Sequence, residues 1–214
     1  LERDGAALTP GQAPALATLL ETAALCNDAR LEGGDGPSGD PTEIALLEAA
    51  HALGIERDDL LKEQPEIARE AFDPATKMMA TLHREADRVL VAVKGAPEAV
   101  LDAATQVLEA DGSTRALDQT ARDAWTDATE RLAEAGLRTL AIARKAGGDE
   151  STDPYADLTL IGLVGLVDPP RAGVREAVLN CRRAGIHAVM VTGDAPSTAR
   201  AIAAEVGLVD DAAT

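Results

Sequence analysis

Aromatic side chains are almost missing from this sequence: among 214 residues there is one Phe, one Trp and one Tyr. Because aromatic rings bury the most area per side chain, a core without them has to be assembled from many Ala, Leu, Val and Ile side chains. Hydrophobic residues make up 46% of the chain and charged residues 27%, which is ordinary for a folded protein and too apolar for a disordered one. We therefore predict one or two folded domains, in which Phe72 is as well suited to stacking on a flat ring as to packing in the core.

The formal charge of −17 argues against a protein that binds nucleic acid or anionic lipid, because both need a basic face. The longest uncharged apolar run, Leu158–Val167, is too short for a membrane helix of about 20 residues, so we expect no direct membrane insertion. Cys26 and Cys181 are isolated and the three histidines are scattered, which predicts neither a disulfide framework nor a metal site. The sequence begins with Leu1 and shows no signal-peptide pattern, so we expect a piece of a longer protein.

Charge and hydrophobic pattern change near Asp157. Residues 1–157 carry a net charge of −16 and residues 158–214 a net charge of −1, which predicts two domains with a boundary there. After the boundary, apolar runs at 158–167 and 186–191 alternate with helical patterns that begin near Val174 and at Pro196. Strand, helix, strand and helix in this order indicate half of a doubly wound α/β fold.

The first part of the chain mixes helical and strand patterns and is predicted to be α+β. Asp40, Pro41 and Glu43 can serve as N-cap, first helical residue and capping-box partner of one helix. The other predicted helices lie at 13–26, 58–69 and 118–135, with a short one opening at Pro97. The predicted strands form hairpins at 77–83 with 89–94 and at 106–108 with 114–117, followed by a strand at 139–143.

Two polar clusters follow the predicted strands of the second part. Thr192-Gly193-Asp194 precedes a helix whose first N–H groups can bind a phosphate, although Asp194 can also simply cap that helix. Asp168 and Arg171 flank two prolines that fix the exit of the preceding strand. This cluster is typical of a site that positions charged groups. It is equally typical of a segment that ends one strand and starts the next helix.

A third cluster lies in the first part. Lys94 ends a run of alternating character and abuts Gly95, so its ammonium can reach out while the glycine lets a ligand approach closely. Phe72 and Lys77 precede it on the chain. In a region of net charge −16, a polyanion can bind only where nearby cations offset the negative field, and Lys77 and Lys94 are candidates for that role. Isolated lysines are, however, commonly solvated surface charges.

Six motifs in this order resemble the cytoplasmic part of P-type cation-transporting ATPases, in particular the calcium-pump and sodium-pump branch. The motifs are Gly39-Asp40-Pro41-Thr42-Glu43, Phe72 with Lys77 and Met79, Lys94-Gly95-Ala96-Pro97-Glu98, Gly136-Leu137-Arg138-Thr139-Leu140, Asp168-Pro169-Pro170-Arg171 and Thr192-Gly193-Asp194. The resemblance implies an α+β nucleotide-binding domain at 1–157, an antiparallel sheet flanked by helices. It further implies that 158–214 is part of an α/β phosphorylation domain with a haloacid-dehalogenase-like fold.

By this resemblance, ATP is the ligand, and each motif residue has an implied role. Phe72 would stack on adenine, Glu43 would hydrogen-bond it, and Lys94 would lie along the base beside Gly95. Lys77, Met79 and Leu140 would line the cleft and Arg138 would reach the phosphates. In the second part, Thr192, Gly193 and Asp194 would belong to the phosphoryl site, with Asp168 and Arg171 approaching the nucleotide at the domain junction.

The family's DKTGT phosphorylation motif and its GDGxND magnesium-binding motif do not occur in this sequence. Without an aspartate to accept the phosphoryl group, we expect the chain to bind ATP without hydrolysing it, and Mg²⁺ to belong to the intact pump. Its partners would be the phosphorylation and membrane parts of the same polypeptide, with this chain on the cytoplasmic face. Two alternatives stay open: a soluble haloacid-dehalogenase-type phosphohydrolase, which would need an Asp-x-Asp pair that is not found here, and an acidic protein-interaction module.

Overall fold

The computed structural model describes residues 2–3, 6–7, 14–31, 36–147, 152–167, 170–171, 173–192 and 196–209. The chain divides into two units, Leu1–Ala124 with Leu140–Val164, and Trp125–Thr139 with Gly165–Thr214. The first unit begins with a two-residue antiparallel pair, Glu2–Arg3 (β1) and Ala6–Ala7 (β2). None of the helices among the described residues is both long enough and apolar enough to span a bilayer.

Three helices of the first unit precede its main sheet in the sequence and pack together. They are Pro14–Leu25 (α1), Pro41–His51 (α2) and Arg57–Glu63 (α3). The predicted start of α2 is confirmed, because the Asp40 carboxylate accepts the N–H of Thr42 at 2.8 Å and Pro41 opens the first turn. α1 and α2 bury small and branched side chains against each other. The buried members of this cluster are Leu20, Ala24, Ala29, Leu47 and Ala50.

A seven-stranded sheet has the order β3-β4-β5-β8-β9-β6-β7. Its strands are Glu66–Asp73 (β3), Met78–Glu85 (β4), Arg88–Gly95 (β5), Ala104–Leu108 (β6), Thr114–Ala116 (β7), Arg138–Ala146 (β8) and Leu158–Leu166 (β9). Helices Pro97–Ala103 (α4) and Gln119–Glu134 (α5) connect them. The α+β class is therefore confirmed. The predicted antiparallel sheet is a mixed one, because β6 and β9 run parallel.

The core is as poor in aromatic rings as the composition predicts. β4 and β5 are buried along nearly their whole length, and large buried side chains come from Leu25, Leu46, Ile142, Leu158 and Leu160. Small residues such as Ala80, Ala92 and Ala143 fill the spaces between them. A dense core without aromatic residues thus uses alanine to bring helices and strands close together.

The predicted acidic helix at 58–69 is wrong in its second half. The helix ends at Glu63, and residues 66–73 form β3, which pairs with β4. Pro65 explains the break, because it has no N–H with which to continue the helix. The charged residues of this segment lie on an edge strand whose outer part is exposed, a place where charge is tolerated.

The sheet also runs past the boundary predicted at residue 157. The sequence pattern predicts that β9 begins a separate half sheet, whereas β9 lies between β8 and β6 in the same sheet as the hairpins of the first part. The first unit accordingly includes residues up to Val164. The division of the intact polypeptide into domains at this point stays a prediction.

The second unit contains Val174–Arg183 (α6) and Pro196–Glu205 (α7), close to the two helices predicted there. The strand predicted at 186–191 is wrong: these residues form no strand, and Val189 and Val191 expose 83% and 92% of their surface. Its expected neighbour β9 already has a strand on each side and offers no free edge. An apolar run without a pairing edge cannot form a buried parallel strand.

Candidate functional site

Phe72 lies at the end of edge strand β3 and exposes 59% of its surface. Glu70 pairs with Ala80 and Asp73 with Met78, so an extra residue bulges out of β3 between them. Ala71 and Phe72 therefore share the place opposite Met79, because two residues of a bulged strand oppose one on its partner. Of the two roles left open by the sequence, packing in the core is ruled out, and the ring is available to a ligand.

Glu43 and Lys94 form a buried ion pair beside this point of the sheet. Lys94 in β5 lies directly opposite Met79, and its Nζ donates to Oε1 of Glu43 at the start of α2. The two residues expose only 9% and 8% of their surface. The Lys94 ammonium therefore does not reach out from the domain, because Glu43 at the start of α2 supplies a carboxylate that neutralises its charge.

The residues that follow α1 hold Glu43 in place, and the sequence reasoning missed them. Asn27 is fully buried, and its side-chain amide donates to the backbone carbonyl of Glu43 at 3.0 Å. Its Oδ1 accepts the N–H of Ala29 at 2.8 Å. The N–H of Asp28 donates to Oε2 of Glu43 at 3.2 Å. The available signal was Cys26-Asn27-Asp28-Ala29, in which polar residues directly follow an apolar helix.

Lys77 and Gly95 belong to the turn next to Phe72. Lys77 has a positive φ of 56°, and its exposed ammonium pairs with Glu98 at 2.8 Å. This hydrogen bond raises the pKa of Lys77 and lowers the pKa of Glu98. At Gly95, an added Cβ would lie 2.6 Å from the carbonyl oxygen of Lys77. The close approach that Gly95 permits in this structure is therefore to the backbone of its own chain at Lys77.

A buried polar chain continues from the ion pair along β4. The thiol of Cys26 donates to the carbonyl of Met79 at 3.5 Å, and burial raises its pKa to about 11. Further along, His83 Nδ1 contacts the carbonyl of Gln64 at 3.1 Å and Nε2 contacts the Thr81 hydroxyl at 2.8 Å. Because a carbonyl only accepts, Nδ1 carries the proton. Burial lowers the pKa of this imidazole, so it is neutral.

The remaining predicted residues are distributed over both units. Met79 is buried in a cluster with Leu25, Cys26, Leu90 and Ala92. Leu140 packs against another cluster that contains Ile142 and Ile161. In the second unit, Arg138 is exposed at the start of β8, and Arg171 and Thr192 are exposed as well. Asp168, Gly193 and Asp194 lie outside the described residues.

A cleft of about 690 Å³ opens elsewhere in the first unit, between the end of α1, α2 and α3. Its lining includes Arg30, Leu47, Ile55, Arg57 and Asp59, and none of the predicted site residues. Its lining holds the acids Glu56, Asp58 and Asp59 against the cations Arg30 and Arg57, so it has no excess of positive charge to attract a polyanion. In the part of the chain that the structure describes, no group of three or more His, Cys, Asp or Glu side chains could hold a metal ion.

Comparison with known proteins agrees with this geometry. Residues 15–173 match the family model of the P-type ATPase, cytoplasmic domain N. The chain is 41% identical to a calcium-transporting ATPase of Bacillus subtilis over 203 residues, 91% of this chain and 23% of that protein. It is 37% identical to calcium-transporting ATPase 1 of Bacillus cereus over 196 residues, 90% of this chain and 22% of that protein. Its identity to the sodium/potassium-transporting ATPase subunit alpha of Drosophila melanogaster is 34% over 222 residues, 92% of this chain and 21% of that subunit.

The chain thus spans about a fifth of the length of the curated relatives it matches. The match to the family model includes both Glu43 and Lys94, together with the exposed Phe72. The chain belongs to the P-type ATPase family, and its residues 15–173 correspond to the cytoplasmic domain N of that family.

Proposed function

We propose that this chain is the ATP-binding fragment of a P-type cation-transporting ATPase. In the intact pump it would present ATP to a phosphorylatable aspartate outside this chain, and the resulting cycle would drive cations across a membrane. The observation that carries the proposal is the exposed Phe72 ring, two strands away from the buried Glu43–Lys94 pair, in a protein with a single Phe.

The base would lie on the ring. The backbones of β3 and β5 are roughly 10 Å apart, since neighbouring strands are about 4.8 Å apart, and this spacing leaves room for a purine between Phe72 and Lys94. Glu43 provides carboxylate oxygens that accept from an exocyclic amino group. Met79 lies between Phe72 and Lys94 in the strand register and provides the apolar floor, with Gly95 and Leu140 at its margins.

The phosphates would need cations. Lys77 is exposed at the turn beside Phe72, and we assign it to the phosphate end. We assign Arg138 of the second unit to the ATP phosphates in the intact pump. In the second unit we assign Thr192, Gly193, Asp194, Asp168 and Arg171 to the phosphoryl site of the intact pump. The coordination of Mg²⁺ would be completed by acidic residues outside this chain, because carboxylates are its preferred protein ligands.

The chain alone would bind ATP and not hydrolyse it. The sequence contains no DKTGT motif, so no covalent aspartyl phosphate can form on it at the position that the family uses. The haloacid-dehalogenase-like character of residues 158–214 belongs to this proposal as well, with the rest of that domain supplied by the remaining polypeptide.

A nucleotide titration followed by NMR tests the proposal. ATP and AMP are added separately to the ¹⁵N-labelled chain, and we expect amide shifts around Phe72, Glu43 and Lys94 with both ligands. Phe72→Ala should weaken binding of both about tenfold, because the stacking contribution is lost. AMP shares the base with ATP and lacks two phosphates, so additional shifts with ATP alone would mark the phosphate end.

Ile186→Ala is the matched control. Ile186 exposes 57% of its surface, nearly the same fraction as Phe72, and it lies in the second unit. The control should bind ATP like the unchanged chain. If millimolar ATP shifts no amide of the unchanged chain, or if Phe72→Ala and Ile186→Ala behave alike, the proposed base site is wrong and an acidic interaction surface becomes the better interpretation.

A further inference from the structure

We infer that Asn27 is a positioning residue for purine selectivity: its side chain, with the N–H of Asp28, orients the Glu43 carboxylate toward the base. This inference rests on the proposed function. It assigns a role to a residue that none of the recognised motifs contains.

The first step is the hold on the α2 backbone. Asn27 exposes none of its surface and donates to the Glu43 carbonyl at 3.0 Å, while its own Oδ1 accepts from Ala29. The first turn of α2 and the loop after α1 are thus joined by a side chain whose hydrogen bonds run in both directions. Gly39 lets the segment before α2 approach this loop, since an added Cβ would lie 2.7 Å from Ala29.

The second step is the hold on the carboxylate itself. Oε2 of Glu43 accepts from the Asp28 N–H at 3.2 Å, and Oε1 accepts from Lys94. Two donors on opposite oxygens define the plane of the carboxylate, so its remaining lone pairs have fixed directions. The carboxylate can accept a hydrogen bond from an amino group of a base only if its free lone pairs point at that group. The direction of the carboxylate therefore determines which purine is selected.

The third step connects this carboxylate to the stacking ring. The side chain of Asp28 accepts from Arg69 in β3, the strand that ends beside Phe72. Arg69 also pairs with Glu66 at 2.7 Å in the same strand. The loop residues 27–28 therefore contact both Glu43 and the strand that carries the Phe72 ring, so one loop links the two proposed base contacts.

Affinities for ATP and GTP test the inference. Adenine offers an amino group where guanine offers a carbonyl, so a correctly aimed carboxylate favours ATP. We expect Asn27→Ala to weaken ATP binding by roughly tenfold and to leave GTP binding almost unchanged, so the preference for ATP over GTP falls by the same factor. One misdirected charge-assisted hydrogen bond has about this effect. A residue with a merely structural role would weaken both nucleotides equally.

Thr22→Val is the matched control, because Thr22 is equally buried in α1 and its hydroxyl donates to the carbonyl of Thr18, at 2.7 Å, within its own helix. It should leave the ATP to GTP ratio unchanged. If Asn27→Ala keeps the ratio of the unchanged chain, Asn27 has no positioning role.

A second measurement covers the case in which Asn27→Ala does not fold. In the unchanged chain, the Asp28 amide should shift on addition of ATP and shift less with GTP. If ATP moves amides near Lys94 while the Asp28 amide stays still, the inference is wrong and the proposed function stands. If ATP moves no amide at all, both fail.

Discussion

The buried ion pair makes a quantitative prediction for Lys94→Met. The substitution keeps the length of the apolar stem and removes the ammonium. The Glu43 carboxylate then stays buried, and among the described residues only the Asp28 N–H still donates to it. Removing one partner of a buried pair costs about 3–5 kcal/mol, because the other charge stays desolvated. A domain of this size has a free energy of unfolding of about 5–15 kcal/mol, so the loss should be large and visible.

Urea denaturation followed by far-UV circular dichroism, with hydrogen exchange of the β4 and β5 amides, measures the effect. Lys62→Met is the matched control, since Lys62 pairs with Asp59 at 2.7 Å in full contact with solvent and should contribute nothing measurable. The double variant Glu43→Gln with Lys94→Met should recover most of the loss, because no charge is left buried. If Lys94→Met shifts the urea midpoint no further than Lys62→Met does, the reasoning about this pair is refuted.

Three other predictions follow from the same region. Gly95→Ala should lower the free energy of unfolding by about 1–3 kcal/mol in urea denaturation, because its Cβ would lie 2.6 Å from a backbone oxygen; an unchanged midpoint would contradict the close packing. Burial lowers the pKa of His83 below 6.5 in the folded chain, so below pH 6.5 the unfolded chain binds a proton at His83 more readily than the folded chain does. The free energy of unfolding should therefore be highest above pH 6.5 and fall as the pH decreases below it. His83→Gln should show a flatter pH dependence in the same assay, and identical slopes would refute the assignment. Finally, iodoacetamide at pH 8 should alkylate Cys181 and spare Cys26, whose buried thiol has a pKa of about 11, as read by mass spectrometry of the folded chain. Equal labelling would mean that Cys26 is accessible.

Features with local causes could be predicted from the sequence. The start of α2 at Asp40 and Pro41 depends on a cap within two residues, and the β4–β5 hairpin depends on two runs joined by a short polar turn. The Ala-rich and aromatic-free core follows from composition. Phe72 was recognised as unusual because it is the only Phe, and the structure adds its exposure.

Features set by distant contacts could not be predicted. The direction of Lys94 depends on Glu43 in α2, which lies far from it in sequence and pairs with its ammonium. Residues 66–73 are rich in charge and look helical, and they form a strand because β4 offers them an edge. Asn27 has no periodic pattern around it, and its importance appears only when Glu43 is seen beside it. The nucleotide contacts of all predicted site residues stay predictions.

The place of β9 has a consequence for how the chain is synthesised and folds. β6 pairs with β9 through Ala104 and Leu158, which are far apart in sequence, while β3, β4 and β5 form a meander of neighbours. On the ribosome the meander can form early, because its contacts are local. The other half of the sheet has to wait until residue 166 has left the exit tunnel. Until then β8 and β6 expose unpaired edges, so a nascent chain or an expression product that stops at residue 157 should depend on chaperones or aggregate.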